Sequence, residues 1–208
     1  MITKPNHLSS TPNLPLAGTT ALITGAGRGI GRAIAIGLAQ AGCNVSCVSR
    51  TLSEVEDVAR MINSTGLPQG KSFLCDVADP VAISALAAEI RRWIDRPVHI
   101  VVNNADIARL DAVEHTSDMA HWNRIMATNL AGPVAITSIF LPEMILSGGG
   151  VIISIGSWNA VETVPFMNAY SVSKTGLLRF HEILEYELRG KNVNNFYVVP
   201  ANTEASII

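Results

Sequence analysis

Short apolar runs alternate with stretches of helical periodicity along this chain, and nothing else in the sequence restricts its architecture as strongly. The runs cover residues 20–24, 45–49, 72–75, 98–102, 151–155 and 193–199. Several are almost continuously apolar, as parallel strands buried on both faces require. Between them, Ile30, Ile34, Leu38 and Ala41 share one face of a first helix. A second helix opens with Ser53 and Glu56, which fit a capping box. A third opens with Asp79 and Pro80, a cap followed by proline at the first helical position. A long helix is expected over about 118–146, bent near Gly132 and Pro133. The last is expected over about 168–189, with Leu177, Phe180, Leu184 and Leu188 inward. Gly148, Gly149 and Gly150 mark a turn before the fifth run. Strand, helix, strand in this order predicts an α/β fold: a doubly wound parallel sheet of six strands with right-handed crossovers.

The 208 residues suffice for one full domain, and no Pro/Gly/Ser-rich linker divides them. With 48% hydrophobic and 15% charged residues the composition excludes disorder. A net charge of −2 gives no electrostatic reason to expect nucleic acid or an anionic membrane as partner. No apolar run reaches the roughly 18 residues of a spanning helix, so none is expected. Residues 1–16 are polar and proline-bearing, without the apolar stretch of a secretory signal. They are expected to form a flexible tail ahead of a domain at 17–208. Cys43, Cys47 and Cys75 are odd in number and lack a Cys-x-x-Cys pair, which points to free thiols and a cytoplasmic setting. No metal-ligand spacing is present, so no metal is expected, and His99 and His181 read as structural.

Residues 24–31 read Thr-Gly-Ala-Gly-Arg-Gly-Ile-Gly, between the first strand and the first helix. Glycines there, with Gly25, Gly29 and Gly31 foremost, let the chain approach a pyrophosphate without a Cβ clash. The helix N-terminus offers free N–H groups to the phosphates. After the second strand stand Ser49 and Arg50 rather than an acid. An acid would hold a ribose 2′-hydroxyl; its absence leaves nothing to repel a 2′-phosphate. Arg50 either holds that phosphate, with Arg28 assisting, or is a solvated loop charge. Asp76 either accepts the adenine amino group or serves the entry to the third helix.

Tyr170 and Lys174 lie four residues apart in a helical segment, hence on one face. A free phenol titrates at about 10, and a nearby ammonium lowers that, suiting it to proton transfer. Ser157 follows the fifth strand and either polarises a substrate carbonyl or begins a loop. Asn129 interrupts a helical pattern; it either marks a backbone distortion holding a water next to Lys174 or is a surface residue.

Together these motifs, with Cys75-Asp76-Val77 and Asn103-Asn104-Ala105, resemble the short-chain dehydrogenase/reductase family over about 16–205. The resemblance implies a Rossmann fold and an NADP(H)-dependent oxidoreductase, a carbonyl reductase or alcohol dehydrogenase. Hydride would pass between nicotinamide and a carbonyl or secondary alcohol carbon. It implies Tyr170 as general acid/base, Lys174 holding the nicotinamide ribose and lowering the tyrosine pKa, Ser157 steadying the carbonyl, and Asn129 in a proton relay. Ile30 would contact the pyrophosphate, while Val77, Asn103, Ala105, Pro200 and Thr203 belong with the cofactor set. A homodimer or homotetramer built on the two long helices is also implied.

The sequence departs from the family pattern at four places. Asp106 stands where glycine usually follows Asn-Asn-Ala, and Ala201 where glycine follows the proline. Ala205 replaces a threonine that usually grips the carboxamide. Relatives usually continue past this point with a lid, a helix and a seventh strand, so a second expectation is a shortened, catalytically impaired nucleotide-binding or partner-binding remnant. Trp158, Val161, Val164, Phe166 and Met167 either line an apolar pocket for a bulky carbonyl compound or pack the fold.

Overall fold

The computed structural model describes residues 14–64, 66, 68–115 and 119–201. Strands β1 (Thr20–Thr24), β2 (Asn44–Ser49), β3 (Gly70–Leu74), β4 (Ile100–Asn103), β5 (Gly150–Ile155) and β6 (Val193–Val198) pair in parallel throughout. Their order is β3-β2-β1-β4-β5-β6. Winding reverses between β1 and β4, and a doubly wound sheet opens a crevice there at the strands' carboxyl ends.

Both sheet faces are covered, which explains the continuous apolar runs. Neighbouring strand residues point to opposite faces. Leu22, Val101 and Ile152 join Phe140 and Met144 in one core. Ala21, Ile23 and Val102 join Val55 and Val58 in the other. Each such Leu, Ile, Val, Phe or Met side chain contributes about 1.5–3 kcal/mol by leaving water.

The covering helices are α1 (Gly29–Gln40), α2 (Leu52–Asn63), α3 (Pro80–Trp93), α4 (Ala120–Met126), α5 (Gly132–Leu146) and α6 (Asn168–Glu187). At α3, Asp79 accepts a bond from the Val81 N–H at 2.8 Å, the cap expected of it. The capping box at Ser53 does not form. Thr51 occupies the cap position, so Ser53 already lies inside α2.

The long helix expected over 118–146 is divided. Ala127–Ala131 forms a single π turn between α4 and α5. Gly132 follows it because a Cβ there would come within 2.6 Å of the Val77 carbonyl oxygen. By length and composition the run Ala120–Leu146 is apolar enough to cross a membrane, contrary to the expectation of no such helix. Its Ile136, Phe140 and Met144 are instead fully buried on the sheet.

Residues 1–13 of the expected tail lie outside the described residues. Leu16, placed in that tail, packs on the core around β1 and β2, and its N–H donates to the Ala41 carbonyl at 2.9 Å.

Candidate active site

The crevice holds a cleft of about 580 Å³. At one end lies the glycine loop. Gly25 has φ +64 and Gly29 φ +53, in the left-handed region that favours glycine. A Cβ on Gly25 would sit 2.8 Å from Asn104 Nδ2. That approach is bonded: Asn104 Nδ2 donates to the carbonyls of Thr24 (2.9 Å) and Gly25 (3.1 Å). In return Thr24 Oγ1 accepts the N–H groups of Asn104 and Ala105, both at 3.0 Å. Thr24 and Asn104 thus pin the β1 and β4 ends together. Neither was singled out from sequence, although both lie in the quoted motifs.

Arg28 caps α1 in an extended conformation without a side-chain bond, and the first turn contains no acid. Gly29 and Ile30 line the cleft there. An uncapped helix start facing a cleft suits an anionic group. Gly31 is a correction: it is buried off the cleft, where a Cβ would meet the Gly25 carbonyl oxygen. It serves close packing of α1 rather than ligand contact.

Arg28, Ser49 and Arg50 line the cleft's polar end. Ser49 Oγ accepts the Thr51 N–H at 3.2 Å. A residue missed from sequence, Glu54, enters the same wall from α2; a Cβ on Gly27 would lie 2.6 Å from its Oε2. The second strand is followed by no acid, but the third dimension supplies one.

Asp76 is turned to structure. Its Oδ2 pairs with Arg124 at 2.7 Å, and its Oδ1 accepts the Ala78 N–H at 3.0 Å. Burial pushes its pKa up, but that amide and guanidinium outweigh it and hold the carboxyl below its ordinary value. Val77, next to it, does line the cleft.

Asn103 is another correction. As the last residue of β4 it points under the sheet, donating to Thr137 Oγ1 (3.2 Å) and Ser154 Oγ (3.3 Å), and does not line the cleft. Ala105 and Pro200 do. Thr203 and Ala205 lie outside the described residues.

At the other end, Ser157 and Tyr170 face the cleft together. Ser157 Oγ donates to Asn159 Oδ1 and accepts the Asn159 N–H, each at 3.2 Å. Its own N–H donates to Tyr197 Oη at 3.3 Å, and Tyr197 Oη donates to the Lys174 carbonyl at 3.3 Å. Tyr197, on β6, was not foreseen; it ties the Ser157 loop to α6. Gly156 makes room for its ring, because a Cβ there would lie 2.2 Å from a ring carbon.

One helical turn beyond Tyr170, Lys174 is 2% exposed and donates to the Ile155 carbonyl at 2.9 Å. Its other partner is Asp106, Nζ to Oδ2 at 3.0 Å. The same Oδ2 accepts the Tyr170 hydroxyl at 3.1 Å. Here the arrangement differs from the expected lysine–phenol pair. Burial, and then the Asp106 charge, raise the Tyr170 pKa far above its ordinary value, and the nearby Ser157 hydroxyl opposes them only in part. The Lys174 ammonium is paired with Asp106.

Asn129 sits in the π turn and is buried. Its Oδ1 accepts the Ile107 N–H at 3.0 Å, and its Nδ2 donates to the Ile107 carbonyl at 2.8 Å and to Ser173 Oγ at 3.2 Å. The distortion expected at Asn129 is present. Its side chain is bonded to the segment after Asp106 and to Ser173, the neighbour of Lys174.

Trp158 lines the cleft and is exposed, as are Val161, Val164 and Phe166 in the segment that follows it. Phe166 has φ +65, a strained conformation for a bulky side chain.

The short chain dehydrogenase family profile matches residues 19–207. The chain belongs to the short chain dehydrogenase family. It is 33% identical over 195 residues to a short chain dehydrogenase of Pseudocercospora fijiensis, covering 92% of this chain and 62% of that one. It therefore spans less than two thirds of that curated relative. A metagenomic short-chain oxidoreductase in complex with NADP superposes with TM-score 0.85 and 34% identity, over 92% of this chain and 86% of the other. A 7α-hydroxysteroid dehydrogenase complexed with NADH and 7-oxo glycochenodeoxycholic acid gives TM-score 0.85 and 31% identity, over 91% and 72%. In this member of the family, the acid at position 106 bonds both Tyr170 and Lys174.

Proposed function

We propose that the protein is an NADP(H)-dependent oxidoreductase acting on a carbonyl or secondary alcohol substrate. The observation that carries this reading is one cleft with an uncapped α1 N-terminus at one end and the hydroxyls of Ser157 and Tyr170 at the other. A dinucleotide is the ligand class that needs both ends. The fit rests on Gly25 and Gly29 in left-handed conformations and on the unpaired first turn of α1.

Gly29 and Ile30 would bind the pyrophosphate, Arg28 and Arg50 the 2′-phosphate, and Ala105 and Pro200 flank the nicotinamide half. When bound, the nicotinamide supplies or accepts the hydride. Tyr170 releases its bond to Asp106 and gives its hydroxyl proton to the carbonyl oxygen in reduction and, as phenolate, takes the alcohol proton in oxidation. Ser157 releases its bond to Asn159 and donates to the same oxygen, holding it against Tyr170. Trp158 in the cleft wall, with the exposed Val161 and Phe166 in the segment after it, would give the substrate an apolar lip suited to a bulky carbonyl compound. A relative solved with NADP and another with NADH support nicotinamide use. The choice of NADP rests on Arg28 and Arg50.

The test is NADPH oxidation by the 208-residue chain across a panel of ketones. Tyr170→Phe is expected to lower kcat at least about a hundredfold, the usual worth of a positioned proton donor; full activity in that variant would end the mechanism. A second reading, cofactor binding without turnover, draws support from the neutralised Lys174. It is excluded by measurable turnover.

A cytoplasmic location is proposed on the buried, unbridged thiols of Cys43, Cys47 and Cys75. A homodimer or homotetramer is proposed on the exposed Val172, Ile183 and Tyr186 of α6, and sedimentation checks it.

A further inference from the structure

We propose that Asp106 is a positioning residue of the redox centre: its carboxylate accepts the hydrogen bond of the Tyr170 hydroxyl and keeps that phenol protonated, and so confines the alcohol-oxidising direction to alkaline solution. This deepens the oxidoreductase reading and rests on it.

Two bonds converge on a single atom, Asp106 Oδ2. Lys174 Nζ lies 3.0 Å away and the Tyr170 hydroxyl donates to it at 3.1 Å. The other oxygen, Oδ1, is buried without a hydrogen-bond partner. The backbone on either side of Asp106 is fixed. Ala105 N–H is held by Thr24 Oγ1 at 3.0 Å, and both Ile107 polar groups are held by Asn129. The carboxylate therefore meets Tyr170 from a segment braced on both flanks, not from a free loop.

Charge counting gives the consequence. The groups facing the Tyr170 hydroxyl are Asp106, the Lys174 ammonium on α6, the Ser157 hydroxyl after β5 and the Tyr197 phenol on β6. They offer one cation. With Asp106 ionised and Tyr170 protonated, that cation is balanced and the buried centre is neutral. Removing the phenol proton would place a second anion 3.1 Å from the first, with nothing left to compensate it. Burial and the Asp106 charge accordingly push the phenol's pKa up, in the direction this counting requires. Carbonyl reduction begins from the protonated phenol and alcohol oxidation from the phenolate. Asp106 thus extends the pH range of the first and restricts the second to alkaline solution.

The decisive experiment needs no cofactor or substrate. The phenol of Tyr170 is titrated by near-ultraviolet absorbance, taking each protein against its Tyr170→Phe counterpart, which removes the signals of Tyr186 and Tyr197. Asp106→Asn is expected to move the Tyr170 titration down by about two pH units, a change of roughly a hundredfold in phenolate at fixed pH, because Lys174 then serves the phenolate alone. Asp106→Glu is expected to restore most of the difference. An unchanged titration in Asp106→Asn overturns the proposal. If that variant does not unfold cooperatively, Asp106→Gly is read in the same way with the same expectation. In a parallel arm with NADPH and the ketone panel, the alkaline limb of kcat/KM for reduction should move down in step. Failure of the parent chain to turn over any ketone would refute the oxidoreductase reading, while the titration would still decide what Asp106 does to Tyr170.

Discussion

At the cleft's polar end two side chains of opposite sign compete over the same ligand. Arg50 lines the wall and would favour a 2′-phosphate; Glu54, brought against Gly27 by α2, would repel it. A charge-assisted bond to phosphate is worth about 1.5–3 kcal/mol, or roughly ten- to a hundredfold in affinity. Arg50→Ala is therefore expected to weaken NADPH binding by that factor and leave NADH nearly unchanged. Glu54→Gln is expected to tighten NADPH selectively. Fluorescence titration with both cofactors checks the pair, and equal losses for NADPH and NADH in Arg50→Ala would remove Arg50 from the 2′-phosphate site. Arg50 was legible in the sequence because it directly follows a strand. Glu54 was not, because its position depends on how α2 leans on the glycine loop. The same distinction separates Tyr170, Ser157 and Lys174, fixed by spacing on one helix and one strand end, from Asp106 and Tyr197. Asp106 was noticed as a departure, but its bond to both members of the pair needed three dimensions. Asn103 and Gly31 were misplaced because a motif fixes which residues are near a site, not which way each points.

Among the elements, α6 carries Tyr170 and Lys174, and a buried polar seam locks it to the sheet. His181 Nε2 lies 2.6 Å from Ser154 Oγ on β5, and the His181 carbonyl accepts from Asn195 Nδ2 on β6 at 2.9 Å. Burial lowers the His181 pKa from 6.5 to about 4, against a smaller opposing bond from Asn195. The folded chain therefore takes this proton only near pH 4, whereas the unfolded chain takes it near 6.5. A depressed folded pKa gives stability that is complete above 6.5 and is lost as pH falls toward 4. The loss at the acid end is on the order of 3 kcal/mol. Urea midpoints across that window should fall in the parent and stay flatter in His181→Gln; identical slopes would show that His181 does not anchor α6. Strand existence and order were readable because apolar runs buried on both faces leave a plain trace. The division of α4 from α5 was only half readable. Gly132 and Pro133 announced a bend, but the π turn arises from Asn129 bonding Ile107, a contact between segments far apart in sequence.

The molecule as a whole is two half-sheets meeting at β1 and β4, and the cleft draws on both. The β1–β2 half supplies the glycine loop and Arg50; the β4–β5 half, with α6, supplies Asp106, Ser157 and Tyr170. The Thr24–Asn104 bonds are the link between them at the cleft floor. A ligand that touches one half stabilises that half and the link; a ligand that spans both stabilises the whole cooperative unit. At a hundred times its dissociation constant, a ligand specific for the folded state adds about 2.7 kcal/mol. For a chain of this size that corresponds to a Tm increase of roughly 5–10 °C. NADPH is expected to produce such a shift. Adenosine 2′,5′-bisphosphate, which can reach only the Arg50 end, is expected to give a distinctly smaller one at the same concentration. Asp106→Gly should alter the NADPH shift and leave the bisphosphate shift in place, since only the longer ligand reaches the Tyr170 end. Equal shifts for the two ligands would mean that the nicotinamide half makes no contact with the β4–β5 side, and the redox assignment of Tyr170 would fall with it.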